Sequence, residues 1–246
     1  MFELVPLVVG LAAVYAAGVV QGLLGFGFSL VTVPVLVLFV APRMAIPVIL
    51  VLSTFINLFL YREVRGKASL RRMLPLMVAG VAGLPVGTYL LVALDAGLIK
   101  IAAGCLVAFF ALVFLAGLER PIKRENLGLV ATGVTSGILN GVTSASGPPV
   151  ILFLANQGMA RDTFRASLIA YFLFLNLATI PIYLIGGLIS SGVLAYSGVL
   201  LPAMVLGALT GSKLSPRVPE KAFRRVALVA VVGAGVMSVL SGAGLL

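Results

Sequence analysis

The stretch QGLLGFGFSLVTVPVLVLF (residues 21–39) is matched in the second half of the chain by SGILNGVTSASGPPVILFL (residues 136–154). At an offset of 115 residues, the comparison pairs Gly22 with Gly137, Ser29 with Ser144, and Pro34 with Pro149. Offsets of 119 to 127 then pair Asn57 with Asn176, Pro75 with Pro202, and Gly117 with Gly242. Self-similarity of this kind indicates a repeat architecture. The sequence therefore predicts a tandem duplication, with repeat 1 at 1–120 and repeat 2 at 121–246.

The composition is that of a membrane protein. The 246 residues are 61% hydrophobic and 10% charged, with a mean hydropathy of +1.23, whereas a soluble domain carries about 25% charged residues. Apolar runs such as 73–93 and 96–117 reach the roughly 20 residues that a membrane-spanning helix needs. These features predict an all-α polytopic membrane protein.

The residue inventory excludes much enzyme chemistry. His is absent, and the one Cys, Cys105, lies within an apolar run, so zinc sites, Cys/His pairs and disulfide frameworks cannot be built. The sequence also lacks the G-x-x-x-x-G-K-[ST] phosphate loop. We therefore predict a protein that is not an enzyme and uses no cofactor. The net charge of +10 is interpreted as a signal of membrane orientation rather than of nucleic-acid binding.

The distribution of basic residues predicts the topology. If segments 4–40 and 126–156 each cross the membrane once, the 17 Lys and Arg residues divide 8 against 9. If both are hairpins that return to the side they entered, 15 lie on one side, and only Arg43 and Lys100 lie opposite. The positive-inside rule favours the hairpins, with both termini on the extracytoplasmic side of the inner membrane. Because the N-terminus carries Glu3 and no basic residue, it is predicted to be the first membrane element rather than a cleaved signal.

Each repeat is then a broken hairpin followed by three full spans. The predicted spans are 44–61, 73–93 and 96–117 in repeat 1, and 167–186, 193–212 and 226–243 in repeat 2. Because three is odd, the second repeat is inverted relative to the first. Such repeats are typical of secondary transporters that bind substrate near the midplane. The alternative is that the duplication only builds a stable bundle. Close helix packing is predicted at five glycines, namely Gly80, Gly83, Gly87, Gly207 and Gly211.

The hairpin tips are the predicted substrate site. Both tips, GLLGFGFSLVTVP (22–34) and ILNGVTSASGPP (138–149), combine glycines and hydroxyls with a proline that is expected to open the next helix. Non-helical backbone at membrane depth lines a cavity or is buried in protein, and helix starts attract anions. The predicted contacts are backbone at Gly25, Gly27, Gly141 and Gly147, and hydroxyls at Ser29, Thr143, Ser144 and Ser146. For each of these small residues, plain helix packing is the alternative.

Five further polar residues complete the predicted substrate-binding set: Gln21, Asn57, Asn140, Arg165 and Asn176. An amide within an apolar helix bonds a neighbouring helix or faces a cavity, and both interpretations stay open here. Arg165 is placed to attract an anion near the cytoplasmic mouth of the second hairpin, although it is also explained as an orientation signal.

The duplicated tips, the Asn57 and Asn176 helices, and FRASL (164–168) resemble the sulfite exporter TauE/SafE family over essentially the whole chain. The resemblance implies an inner-membrane carrier, an exporter of small sulfur oxyanions or organosulfur anions, sulfite and sulfoacetate among them. The tip NGVTSASGPP fits the family pattern closely. The more apolar GFGFSLVTVP is expected to contribute less to the ligand.

The energy source and the alternatives follow from the charges. All Asp and Glu residues fall at or outside the predicted membrane ends, which disfavours a buried proton relay. The expected partners are a small anionic substrate and the lipid bilayer, without nucleic acid, and a homodimer is left open. The main alternative is a cation or metal-ion permease or channel that uses hairpin carbonyls. A third alternative is a scaffold subunit.

Overall fold

The computed structural model describes residues 4–95, 97–99, 101 and 125–217, and its elements there are helical. The α-helices are α1 (Leu4–Leu24), α2 (Phe28–Phe39), α3 (Pro42–Val64), α4 (Leu70–Ala93), α5 (Glu125–Thr143), α6 (Gly147–Asn156), α7 (Arg161–Ile185) and α8 (Ser191–Leu214). The 3-10 turn Ser215–Arg217 follows α8. Cys105, the predicted span 226–243, and most of 96–117 lie outside the described residues. The predicted all-α class is confirmed.

Five of the described helices are long and apolar enough to cross a bilayer, by length and composition. They are Val5–Leu24, Pro42–Val64, Leu70–Ala93, Arg161–Ile185, and Ser191–Leu214 with its 3-10 turn. Two shorter apolar helices, α2 with 12 residues and α6 with 10, are about 18 and 15 Å long at 1.5 Å per residue. These lengths are about half of a bilayer's hydrocarbon core.

Two seams of closely packed glycines hold the bundle together. A Cβ added at Gly83 would lie 2.4 Å from the Val134 carbonyl oxygen, which sets α4 against α5. A Cβ at Gly207 would lie 2.2 Å from the Tyr15 carbonyl oxygen, which sets α8 against α1. The predicted close packing is therefore confirmed. Each seam joins a helix from the first half of the chain to one from the second half.

One face of the bundle gathers the basic connections. Lys67, in the turn between α3 and α4, pairs with Asp162 at the start of α7 at 3.0 Å, and Arg72 pairs with Glu125 at the start of α5. Both ends of the α5–α6 hairpin therefore lie on this face. At the opposite face, Arg43 donates to the Val92 carbonyl and joins the start of α3 to the end of α4.

The apolar core follows the same layout. One cluster joins α2, α3 and α8 through Val33, Ile49 and Leu200. Another joins the end of α1 to α6 and α7 through Leu24 and Val150. The helix breaks that end α1 and α5 are therefore packed inside the bundle rather than at its surface.

Candidate functional site

The first tip, residues 25–27, is a helix break held by one glutamine. Gly25 and Gly27 have φ angles of 83° and 106°, in the left-handed region that favours glycine. Gln21, in the last turn of α1, accepts a hydrogen bond from the Phe28 N–H at 3.0 Å through Oε1. Its side chain thus caps α2 from the other side of the break. Pro34 was expected to open this half-helix, but it lies inside α2, because the two glycines end the break at residue 27 and α2 begins at Phe28, six residues before Pro34.

The second tip, residues 144–146, is built from hydroxyls. Ser144 has a φ of 54°, and its Oγ donates to the Ile46 carbonyl at 3.2 Å. Ser136 Oγ donates to the Ser146 carbonyl at 2.8 Å and accepts from the Tyr171 hydroxyl at 2.9 Å. The following helix, α6, begins at Gly147 with prolines in its first turn, as predicted.

The contacts of the two tips correct the register of the repeat. Gly25 N–H donates to the Gln21 carbonyl at 2.7 Å, and Ser144 N–H donates to the Asn140 carbonyl at 2.9 Å. Gly25 and Ser144, both left-handed, are thus equivalent at an offset of 119, which is also the offset of Asn57 and Asn176. The offset of 115 from the sequence comparison is four residues shorter than the offset of 119 from the contacts. Four residues are about one helical turn, and glycines one turn apart align almost as well with the neighbouring turn.

A cavity of about 20 Å³ lies between the two tips. Its lining joins both helix breaks, both half-helix starts, and the middle of α3 and of α7. The lining residues are Gln21, Gly27, Phe28, Ser29, Leu30, Ser53, Ser144, Ala145, Ser146, Gly147, Phe172 and Asn176. A volume of this size is enough for about one water molecule. Because Ser53 is the central residue of α3, the cavity lies near the mid-depth of the bundle.

Buried amides from both halves of the chain meet behind this cavity. Gln21 Nε2 donates to Asn57 Oδ1 at 2.8 Å, and Asn57 Nδ2 donates to the Ser53 carbonyl at 2.8 Å. Asn176 Nδ2 donates to Ser53 Oγ at 2.9 Å. Asn140 Nδ2 donates to Thr179 Oγ1 at 2.9 Å. Both interpretations of these amides apply, because Gln21 and Asn176 line the cavity while Asn57 joins helices.

Seven of the thirteen predicted site residues line the cavity: Gln21, Gly27, Ser29, Ser144, Ser146, Gly147 and Asn176. The other six lie beside it. Gly25 packs against Arg165, and Gly141 packs against the backbone of α4 at Thr88. Asn57 and Asn140 bond other amides and hydroxyls. Thr143 donates to the Leu139 carbonyl.

Arg165 closes the first tip on the basic face. Its guanidinium donates to the Gly22 carbonyl at 2.7 Å, and a Cβ at Gly25 would lie 2.7 Å from its Cγ. Ser215 Oγ adds a second bond from the same side, to the Leu23 carbonyl at 2.9 Å. At the second tip, the Tyr183 hydroxyl donates to the Gly141 carbonyl at 2.7 Å. Each tip is thus fastened by side chains of other helices.

Sequence reasoning missed five lining residues: Phe28, Leu30, Ser53, Ala145 and Phe172. A signal existed for Ser53, since it precedes Asn57 by four residues and so lies on the same helix face. Phe172 is the residue equivalent to Ser53 in the second half, at the offset of 119. No polar pattern marks the other apolar residues.

A helical membrane protein with paired broken hairpins around a small polar cavity has the architecture of a secondary transporter. Comparison of the sequence with known protein families points to the same class of protein. The chain belongs to the family described as Sulfite exporter TauE/SafE, which matches residues 10–238. The family and the apolar helices together make it a multi-pass membrane protein.

One curated relative is the protein of Cupriavidus necator named "Probable sulfite/organosulfonate exporter TauE". It is 26% identical over 132 residues, which are 51% of this chain and 52% of the relative. The aligned region thus spans about half the length of each protein. No solved structure matches the chain.

Proposed function

We propose that this protein exports a small sulfur oxyanion, sulfite or an organosulfonate such as sulfoacetate, by binding it between the two tips. The observation that carries the proposal is the cavity where the starts of α2 and α6 meet at mid-depth. The names of the family and of the curated relative support the substrate class. These names do not favour the alternative of a cation or metal-ion permease or channel. The described residues give no observation in favour of a homodimer.

The two half-helix starts supply backbone donors unequally. The first N–H groups of a helix have no partner within it, which leaves Ser29 and Leu30 as donors at α2, where the Phe28 N–H is taken by Gln21. At α6, Pro148 and Pro149 carry no N–H, so Gly147 is the main backbone donor. On this count the first tip contributes more backbone donors than the second, although its sequence is more apolar.

The size of the cavity requires movement during transport. Sulfite has four non-hydrogen atoms, whereas about 20 Å³ holds one water molecule. One tip must therefore withdraw for the anion to enter. Withdrawal of the first tip breaks the bonds from Arg165 and Ser215 on the basic face. Withdrawal of the second tip breaks those from Tyr183 and Ser144 on the opposite face. Release of one tip at a time gives alternating access.

The proposal includes inverted repeats in the inner membrane, with the basic face cytoplasmic and both termini extracytoplasmic. Each glycine seam joins a helix of the first half to a helix of the second half, which supports this arrangement. So does the return of the α5–α6 hairpin to the basic face. Export of an anion then follows the inside-negative potential, which favours it by about 2.3 kcal/mol per charge per 100 mV.

The test is ligand-induced stabilisation of the purified protein against sulfite, sulfoacetate, chloride and divalent metal cations. A ligand that binds only the folded protein raises its stability by about 2.7 kcal/mol at one hundred times its Kd. We expect a rise in the unfolding temperature with sulfite or sulfoacetate and none with the cations. Stabilisation by the metal cations alone would overturn the proposal in favour of a cation permease.

A further inference from the structure

Ser53 lines the cavity at the point where side-chain amides from both halves of the chain meet. It is the central residue of α3, it lines the cavity, and it is 6% exposed. Its Oγ accepts hydrogen bonds from two amides that belong to opposite halves of the chain, Asn176 Nδ2 at 2.9 Å and Asn57 Nδ2 at 3.3 Å. No other residue in the described lining connects the two halves in this way.

The direction of these bonds is fixed in the first half by a backbone group. The Phe28 N–H is a donor only, so the group of Gln21 that faces it must be Oε1, at 3.0 Å. Gln21 therefore presents Nε2 to Asn57 Oδ1 at 2.8 Å. Asn57 in turn presents its NH₂ group to Ser53.

In the second half of the chain, the orientation of the side-chain amides is fixed by a backbone carbonyl. Thr179 Oγ1 donates its one hydrogen to the Leu175 carbonyl at 2.8 Å, so it can only accept from Asn140, whose Nδ2 lies at 2.9 Å. The same Nδ2 lies 3.4 Å from Asn176 Oδ1. Asn176 therefore also presents its NH₂ group to Ser53.

A serine hydroxyl has one hydrogen and two acceptor lone pairs. Two amide donors occupy both lone pairs of Ser53 Oγ, so only the O–H is left to bind a ligand. Among the described residues it has no acceptor. The neighbouring Thr54 differs, because its hydroxyl donates to the Leu50 carbonyl at 2.7 Å.

We propose that Ser53 is a specificity-determining residue of the substrate site, whose hydroxyl is held as an obligatory donor and selects ligands that present only acceptor oxygens. This inference rests on the proposed function, and it adds the chemical rule by which the site selects an ionised oxyanion. The residue equivalent to Ser53 at the offset of 119 is Phe172, which also lines the cavity. The Ser53 hydroxyl therefore has no counterpart at the equivalent position of the second half, and the site is asymmetric there.

The test compares two probes of the same shape, methanesulfonate and methanesulfonamide, with sulfite as the reference ligand. The sulfonate presents acceptors only, whereas the sulfonamide also carries N–H donors. We expect the wild-type protein to prefer methanesulfonate. Ser53→Ala should weaken binding of sulfite and methanesulfonate by about 10- to 150-fold, the loss of one hydrogen bond to a charged group, and should reduce the preference over the sulfonamide.

Thr54→Ala is the matched control, because it removes a buried hydroxyl that bonds only to the backbone, and its affinities should stay at wild-type values. Ser53→Cys keeps a weak donor in the same place and should give an intermediate affinity, which preserves the test if Ser53→Ala does not fold. Equal affinities of folded wild-type and Ser53 variants for sulfite would overturn the role of Ser53 while leaving the proposed function in place. Failure of the wild-type protein to bind any of the sulfur oxyanions would overturn both.

Discussion

Gly147, at the start of α6, offers the sharpest test of where the anion binds. A Cβ added there would lie 3.1 Å from Ile151 Cδ1 and 3.6 Å from Phe172 Cζ. Both neighbours are the ends of side chains that can shift by a few tenths of an ångström, and the backbone of Gly147 is not left-handed. The variants Gly147→Ala and Gly147→Val should therefore fold.

The effect on binding should be large because the space is small. The anion is already larger than the cavity of about 20 Å³ and needs the room that opens between the tips, so a methyl group at Gly147 takes space directly from the ligand. Overpacking of this kind costs about 1 to 3 kcal/mol, which corresponds to an affinity about 5- to 150-fold weaker for Gly147→Ala. Gly147→Val, with two more carbons, should abolish binding.

The assay is equilibrium binding of sulfite to purified protein, with thermal unfolding in the absence of ligand as the check on folding. Gly198→Ala is the control, since a Cβ at Gly198, on α8, meets nothing within 4 Å. Wild-type affinity in folded Gly147→Val would refute the placement of the anion between the tips.

Three other outcomes are expected. Gly211→Ala should lower the unfolding temperature relative to Gly198→Ala on the same helix, because its Cβ would lie 2.1 Å from the Val19 carbonyl oxygen and separation of the seam costs about 1 to 3 kcal/mol or more; equal unfolding temperatures would contradict the seam. In a variant that lacks Cys105, an impermeant thiol reagent applied to intact cells should label Gly186→Cys but not Lys67→Cys, and the reverse pattern would contradict the proposed orientation. Sulfite transport into vesicles should follow the sign of an imposed potential without a pH gradient, and a rate that vanishes when only the pH gradient is collapsed would exclude this mode of driving.

The sequence predicted the broken hairpins because their cause is local. Glycines, hydroxyls and prolines clustered inside apolar segments are incompatible with a continuous helix, and the breaks lie at 25–27 and 144–146 as those clusters indicate. The glycine seams were also predictable, because close helix approach in a membrane requires residues without side chains.

The register of the repeat and the identity of Ser53 depend on packing between distant segments. Glycines at Gly133, Gly137 and Gly141 repeat every four residues, so a shift of one turn preserves most matches, and only the contacts at Asn140 and Ser144 decide between the alternatives. A serine within a helix usually bonds to its own backbone, as the adjacent threonine does. Only the meeting of amides from both halves gives Ser53 a different role.

Because each glycine seam joins a helix of the first half to a helix of the second half, a seam can form only after the later helix has been synthesised. Gly18 of α1 packs against α8 at Gly207, and the two are 189 residues apart in the chain. At a synthesis rate of about 5 to 20 residues per second, α1 waits about 10 to 40 s in the bilayer before its partner emerges from the ribosome. During that time its glycine face is open to lipid and to other nascent helices. A truncated chain that ends before α8 keeps this glycine face of α1 uncovered.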